Sequence, residues 1–136
     1  MKHFILFLTL FFCSCNSKPD FEDYLKQVGI TLVDNYKIIG YNYEEAIGDF
    51  SVNFQLKISD NDFQSIVTKI KKTENYGEYK SGEYPNSFIS VGKDYQISGF
   101  KLADKYFYKK ISTHEPRCYE IVLDAKKTLH FTFTED

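Results

Sequence analysis

The sequence predicts an α+β fold: a single domain with a mainly antiparallel sheet of about five to six strands and one or two helices packed on one face. Residues 50–58 alternate apolar and polar side chains without interruption, which is typical of a half-buried antiparallel strand. Residues 17–28 and 60–72 space their apolar side chains three and four apart, as one face of a helix requires. Further strand-like segments follow, so the apolar helix faces have a sheet to cover.

The composition supports one packed domain. The chain has 136 residues, of which 43% are hydrophobic and 18% aromatic, which is enough apolar material for a core. The formal net charge of −2 excludes the strongly basic surface that nucleic-acid binding requires. No internal repeat or long linker divides the sequence.

The N-terminus has the pattern of a secretory signal. A short basic start precedes an apolar run at residues 4–12, and a small residue, Ser14, precedes Cys15. The apolar run is too short to span a bilayer, which needs about 20 residues. We therefore predict a signal peptide at residues 1–14 and a mature domain at residues 15–136.

The junction of Ser14 and Cys15, followed by a polar stretch, resembles the lipobox of bacterial lipoproteins. In that family the cysteine is lipidated on sulfur and becomes the mature N-terminus, so the resemblance implies a diacylated thioether and an amide-linked acyl chain on Cys15. Two or more acyl chains hold a protein firmly at a membrane. Asn16 replaces the aspartate that retains many such lipoproteins at the inner membrane, so the resemblance favours an anchor in the outer membrane.

Two helices are indicated by apolar stripes and capping residues. The stripe of the first contains Phe21, Tyr24, Leu25 and Val28. Ser17 and Asp20 are spaced as in a capping box, and Gly29 suits the position after a helix end. The stripe of the second contains Phe63, Ile66, Val67 and Ile70. Ser59 or Asp60 is expected to cap its start, and lysines in its last turn complement the helix dipole.

The remaining segments are predicted strands, turns and a loop. Residues 36–43 form an apolar and aromatic strand in which Gly40 suggests a bulge. Residues 44–49 contain Glu44, Glu45 and Asp49 and are expected to form a solvated acidic turn. Residues 73–86 are rich in glycine and tyrosine, which predicts an exposed loop. Further strands are expected at residues 88–91, 95–102, 105–111, 118–123 and 129–134.

The last two strands form a predicted hairpin, and its register bears on Cys118. Three apolar pairs share one face: Tyr119 with Phe133, Ile121 with Phe131, and Leu123 with Leu129. The same register places His130 opposite Val122, too far from Cys118 to activate it as a nucleophile. His114 lies in the preceding loop, where nothing fixes its position. We therefore expect Cys118 to be a structural thiol.

No ligand spacing predicts a metal site, because His114 and Glu115 are adjacent while His130 is distant. The acidic turn lacks the alternating oxygen ligands of a calcium loop. Paired carboxylates for glycoside hydrolysis need only spatial proximity, and no pattern points to them. We expect no metal, no cofactor and no enzyme activity, with an envelope hydrolase as the remaining catalytic alternative.

Tyrosines crowd the second half of the sequence, and three of them lie in the predicted loop: Tyr76, Tyr79 and Tyr84. Exposed aromatic side chains offer rigid contact area to a protein or a sugar, and loops on a rigid scaffold often contain binding residues. A coding bias towards Lys, Ile, Asn, Tyr and Phe would explain the same tyrosines without a binding role. We take these three residues as the candidate binding surface.

Together these features predict a lipid-anchored protein of the bacterial envelope that acts as a non-catalytic binding module. Its partner would be another envelope protein rather than a nucleic acid. The alternative is an immunity protein or an inhibitor of an envelope enzyme, which would occlude the active site of its partner with the tyrosine-rich loop or the acidic turn.

Overall fold

The structure, a computed structural model, describes residues 19–83, residue 85 and residues 89–136. These residues form two helices and an open, mostly antiparallel sheet, so the predicted α+β class is confirmed. In chain order the elements are α1 (Phe21–Gln27), β1 (Lys37–Ala46), β2 (Asp49–Lys57), α2 (Asp60–Lys71), β3 (Gly77–Tyr79), β4 (Ile89–Val91), β5 (Tyr95–Leu102), β6 (Lys105–Ser112), β7 (Arg117–Leu123) and β8 (Thr128–Glu135).

The sheet has eight strands, so the prediction of about five to six was wrong. All the segments with strand character join one sheet, and Gly77–Tyr79, inside the predicted loop, adds a strand parallel to β5. The strand order is β1-β2-β8-β7-β6-β5-β3, and β4 also pairs with β5. Because β2 lies beside the C-terminal strand β8, β1 becomes one edge of the sheet.

The hydrophobic core lies between the two helices and one face of the sheet. Along β2, Val52, Phe54 and Leu56 are buried on this face, while the residues between them point away from it. The ring of Phe54 stacks on Phe131 of β8 at 4.6 Å, and Phe21 of α1 lies 4.8 Å from Phe54. These contacts fix α1 over β2, next to the β1 edge of the sheet.

Both helices begin at capping residues. The Asp20 side chain accepts a hydrogen bond from the backbone N–H of Asp23 and caps α1, while Ser17 lies outside the described residues. Ser59 caps α2 by accepting from the backbone N–H of Asp62. Three residues of the predicted α2 stripe are buried: Ile66, Val67 and Ile70. The fourth, Phe63, is half-buried.

The register of the β7–β8 hairpin agrees with the prediction at all three apolar pairs: Tyr119 with Phe133, Ile121 with Phe131, and Leu123 with Leu129. The predicted irregularity at Gly40 is also present, as a register shift in β1 between Ile38 and Gly40. Beyond the shift, β1 pairs regularly with β2 as far as the turn that joins them. The hairpin formed by β1 and β2 is therefore long and regularly paired up to its turn.

Candidate functional site

Two of the three predicted site tyrosines lie on opposite faces of the sheet. Tyr76 is half-buried against the core on the helix side, and its hydroxyl donates a hydrogen bond to Glu78 Oε1 at 2.8 Å. Burial, and then the Glu78 carboxylate, raise the pKa of Tyr76 above its ordinary value. Tyr79 is half-buried on the other face, where its ring meets Phe100 edge to face at 6.2 Å. Tyr84 lies outside the described residues.

Exposed apolar side chains are concentrated on β1 and the turn that follows it. Ile39, Tyr41 and Tyr43 are 52%, 51% and 51% exposed, and Ile47 in the turn is completely exposed. Only three other large hydrophobic residues of the described chain are exposed, namely Val33, Val91 and Tyr95. We call Ile39, Tyr41, Tyr43 and Ile47 the β1 surface.

Contacts inside the protein orient the two tyrosines of the β1 surface. The ring of Tyr41 lies 5.8 Å from Phe21 of α1. The ring of Tyr43 meets Phe50 edge to face at 4.9 Å, and its hydroxyl donates to Glu45 Oε2 at 3.4 Å. Each tyrosine therefore has one packed side and one open side, which lowers the ordering cost of binding a partner.

The predicted acidic turn is wrong in its extent. Glu44 and Glu45 belong to β1, Asp49 is the first residue of β2, and the turn consists only of Ile47 and Gly48. Gly48 has a φ of +91°, which glycine adopts without strain, so two residues are enough to reverse the chain. Pairing with β2 therefore extends the strand into the acidic segment, and three carboxylates surround a hairpin tip that presents an exposed isoleucine.

Sequence reasoning missed the β1 surface because exposure here depends on strand order. Residues 36–43 have the composition of an ordinary half-buried strand, and only the pairing of β2 with β8 leaves β1 at the edge. One available signal was the presence of Glu44 and Glu45 directly after the aromatic residues, because carboxylates oppose burial.

Both histidines that could have activated Cys118 are next to carboxylates instead. His130 Nε2 is 3.8 Å from Asp124 Oδ2, and His114 Nε2 is 3.6 Å from Asp94 Oδ1. Burial raises the pKa of the Cys118 thiol, the opposite of the shift that activates a nucleophile. Over the described part of the chain, no three His, Cys, Asp or Glu side chains are grouped closely enough to hold a metal ion.

A groove of about 810 Å³ lies beside α2, and its walls include Lys69, Lys72, Ile97 and Tyr108. Lys69 and Lys110 lie at the C-terminal end of α1. Lys69 covers Gly29, where an added Cβ would lie 2.9 Å from Nζ, and Lys110 Nζ donates to the backbone oxygen of Gln27 at 2.8 Å. Burial, and then the charge of Lys69, lower the pKa of Lys110. Positive charge at a helix C-terminus is stabilising, so these lysines have a structural role.

The fold and the β1 surface define an α+β protein with an open eight-stranded sheet and an aromatic strand at its edge. Comparison of the chain with protein-family models, with curated proteins and with solved structures finds no match. Among the residues that the structure describes, no helix is long and apolar enough to cross a membrane.

Proposed function

We propose that this chain is a lipid-anchored protein of the bacterial envelope that binds another protein and has no catalytic role. One observation supports the binding role: four of the seven large hydrophobic residues exposed in the described chain lie on one strand and its turn. Tyrosine is enriched among the residues that dominate binding energy, and two of the four are tyrosines. The candidate site therefore moves from the predicted loop to the β1 surface.

A protein partner fits the β1 surface better than a small ligand does. β1 has ten residues, and a strand rises about 3.3 Å per residue, so the surface is roughly 33 Å long. Small ligands are usually held in concave pockets that bury most of their area. A long, open strand offers contact along a line, which suits another polypeptide.

The anchor is inferred from the resemblance of Ser14 and Cys15 to a lipobox. Residues 16–20 separate Cys15 from the start of α1 at Phe21, and five residues span at most about 18 Å. The domain would therefore be held close to the lipid surface, where another envelope protein is the available partner.

Pull-down from detergent-solubilised envelopes tests the binding role. We expect the tagged wild-type protein to recover a partner. A variant with both Tyr41→Ser and Tyr43→Ser should recover at least about tenfold less of that partner. Tyr95→Ser is the matched control, because Tyr95 is also exposed but lies outside the β1 surface. Failure of the wild type to recover a protein would overturn the binding role. Equal recovery by all three would show that the β1 surface is not the binding site.

The anchor has a separate test. Cys15→Ser is expected to abolish membrane association and to leave a soluble or unprocessed protein. Mass spectrometry of the N-terminal peptide of the mature wild type should show acyl chains on Cys15. An unmodified Cys15, or a mature N-terminus at another residue, would contradict the lipoprotein proposal.

The alternative, an immunity protein or an inhibitor of an envelope enzyme, is favoured by the shape of the hairpin tip. Ile47 is fully exposed and is flanked by Glu45 and Asp49, so the tip could enter an active-site cleft. An inhibitor would recover its enzyme stoichiometrically and abolish that enzyme's activity. Ile47→Asp should relieve the inhibition, whereas a simple binding module would leave the activity of its partner unchanged.

A further inference from the structure

The outer edge of β1 is an open row of backbone hydrogen-bonding groups. Within the described residues β1 pairs with β2 alone, so its other side has no neighbouring strand. The opposite edge of the sheet is formed by β3 and β4, which have only three residues each. A long open edge is a place where a further strand can join a sheet.

The short turn shows which backbone groups point outward. Because only two residues separate β1 from β2, Ala46 and Asp49 form the hydrogen-bonded pair beside the turn. Hydrogen-bonded and open pairs then alternate along an antiparallel ladder. The backbone N–H and C=O groups of Tyr41, Tyr43 and Glu45 therefore point away from β2 and towards any added strand.

We propose that the partner pairs an extended segment with β1 and becomes a further strand of the sheet. This inference rests on the proposed binding role and specifies how the partner is held. The segment would place apolar side chains beside Tyr41 and Tyr43, which lie on the helix face opposite Phe54 and Val52. On the other face it would place a lysine or arginine side chain near Glu44, because opposite charges on neighbouring strands attract.

Charge distinguishes such a partner from a second copy of the chain. Full antiparallel overlap of residues 40–46 with the same residues of another copy would place Tyr43 opposite Tyr43 and Glu44 opposite Asn42. The Glu44 side chains of the two copies would then be diagonal neighbours on one face of the sheet, and like charges on paired strands are destabilising. The chain as a whole has a formal net charge of −2, which also favours a basic partner.

A synthetic peptide of ten alternating lysine and valine residues serves as a probe of this chemistry. Binding to the purified protein is measured by fluorescence anisotropy at low and high salt. We expect binding that weakens with salt, because charges contribute to it. The same peptide with N-methylated backbone amides has the same charge but fewer donors, and it should bind at least about tenfold more weakly.

Two substitutions at one position separate backbone pairing from side-chain contact. Tyr43→Ser removes the ring and keeps the backbone N–H, whereas Tyr43→Pro removes both. Proline is tolerated on an edge strand where the N–H points outward, so β1 should still pair with β2, and an unchanged denaturation midpoint between the two variants checks this. We expect the proline variant to bind the peptide at least about tenfold more weakly than the serine variant.

Amide hydrogen exchange locates the pairing directly. With saturating peptide, the amides of Tyr41, Tyr43 and Glu45 should exchange at least about tenfold more slowly than in the free protein. No binding of the lysine–valine peptide, equal binding by the two Tyr43 variants, or unchanged exchange at these amides would each overturn strand addition. If the wild type and Tyr43→Pro retain a partner equally in the envelope pull-down, the binding role stands and strand addition alone is overturned.

Discussion

The side chain of Asp62 accepts a hydrogen bond from the backbone N–H of Val33 at 2.9 Å and thereby joins the start of α2 to the segment that leads into β1. Its other oxygen accepts from the backbone N–H of Asp34 at 3.2 Å. Asp62 is only 1% exposed, and a buried carboxylate needs such partners to offset its lost hydration. The same residue donates its own N–H to the Ser59 cap, so one cluster orients both α2 and the approach to the edge strand.

Asp62→Ala is expected to lower the free energy of unfolding by about 3 kcal/mol, because it leaves two backbone donors without their acceptor. Asp60→Ala is the matched control, since Asp60 is on the same helix but its side chain is 80% exposed and pairs with Lys127 at 2.5 Å. An exposed ion pair is worth less than about 1 kcal/mol. Urea denaturation of both variants measures the difference, and equal losses would show that the Asp62 bonds contribute little.

Ile66→Ala is expected to lower the free energy of unfolding by roughly 2–5 kcal/mol, because Ile66 is buried between α2 and the sheet. Ser65→Ala is the control, since Ser65 is exposed on the same helix. Chemical denaturation followed by circular dichroism gives both values. A midpoint unchanged by Ile66→Ala would mean that α2 does not pack on the sheet as described.

Tyr79→Ala is expected to reduce stability by about 1 kcal/mol, because the ring loses its contact with Phe100. The same variant should keep its partner in the envelope pull-down, whereas the Tyr41 and Tyr43 serine variant should not. Loss of the partner by Tyr79→Ala at unchanged stability would return the site to the loop that the sequence predicted.

The Cys118 thiol is expected to react slowly with iodoacetamide, because burial raises its pKa above 9.0 and reduces the thiolate present at neutral pH. The folded state then binds the thiol proton more tightly than the unfolded state does. The stability that this pKa shift contributes is fully present below pH 9.0 and is lost as the pH rises through the pKa of the folded state. Alkylation rates between pH 7 and 10, in buffer and in urea, measure the shift, with Cys118→Ser as the background control. Equal rates in buffer and urea would contradict it.

Local patterns in the sequence were sufficient for the hairpin of β7 and β8, because alternation and a short turn select one register. They were insufficient for β3, because a segment of three residues forms a strand only where the fold places it beside another strand. α2 ends against β5 at Gly99, where an added Cβ would lie 2.5 Å from Thr73 Oγ1. This close approach returns the chain beside β5, and Gly77–Tyr79 then pairs with it.

The sequence by itself determined the α+β class, the two helices, the bulge at Gly40 and the β7–β8 register, because periodicity, capping and alternation act over a few residues. The tertiary structure alone decided that β1 is an edge and that Tyr76 and Tyr79 lie on opposite faces. Both outcomes depend on β2 pairing with β8 and on β3 pairing with β5, contacts between segments far apart in the chain. Exposure of a side chain is a property of those pairings, so the candidate site at Ile39, Tyr41, Tyr43 and Ile47 could be recognised only in the folded protein.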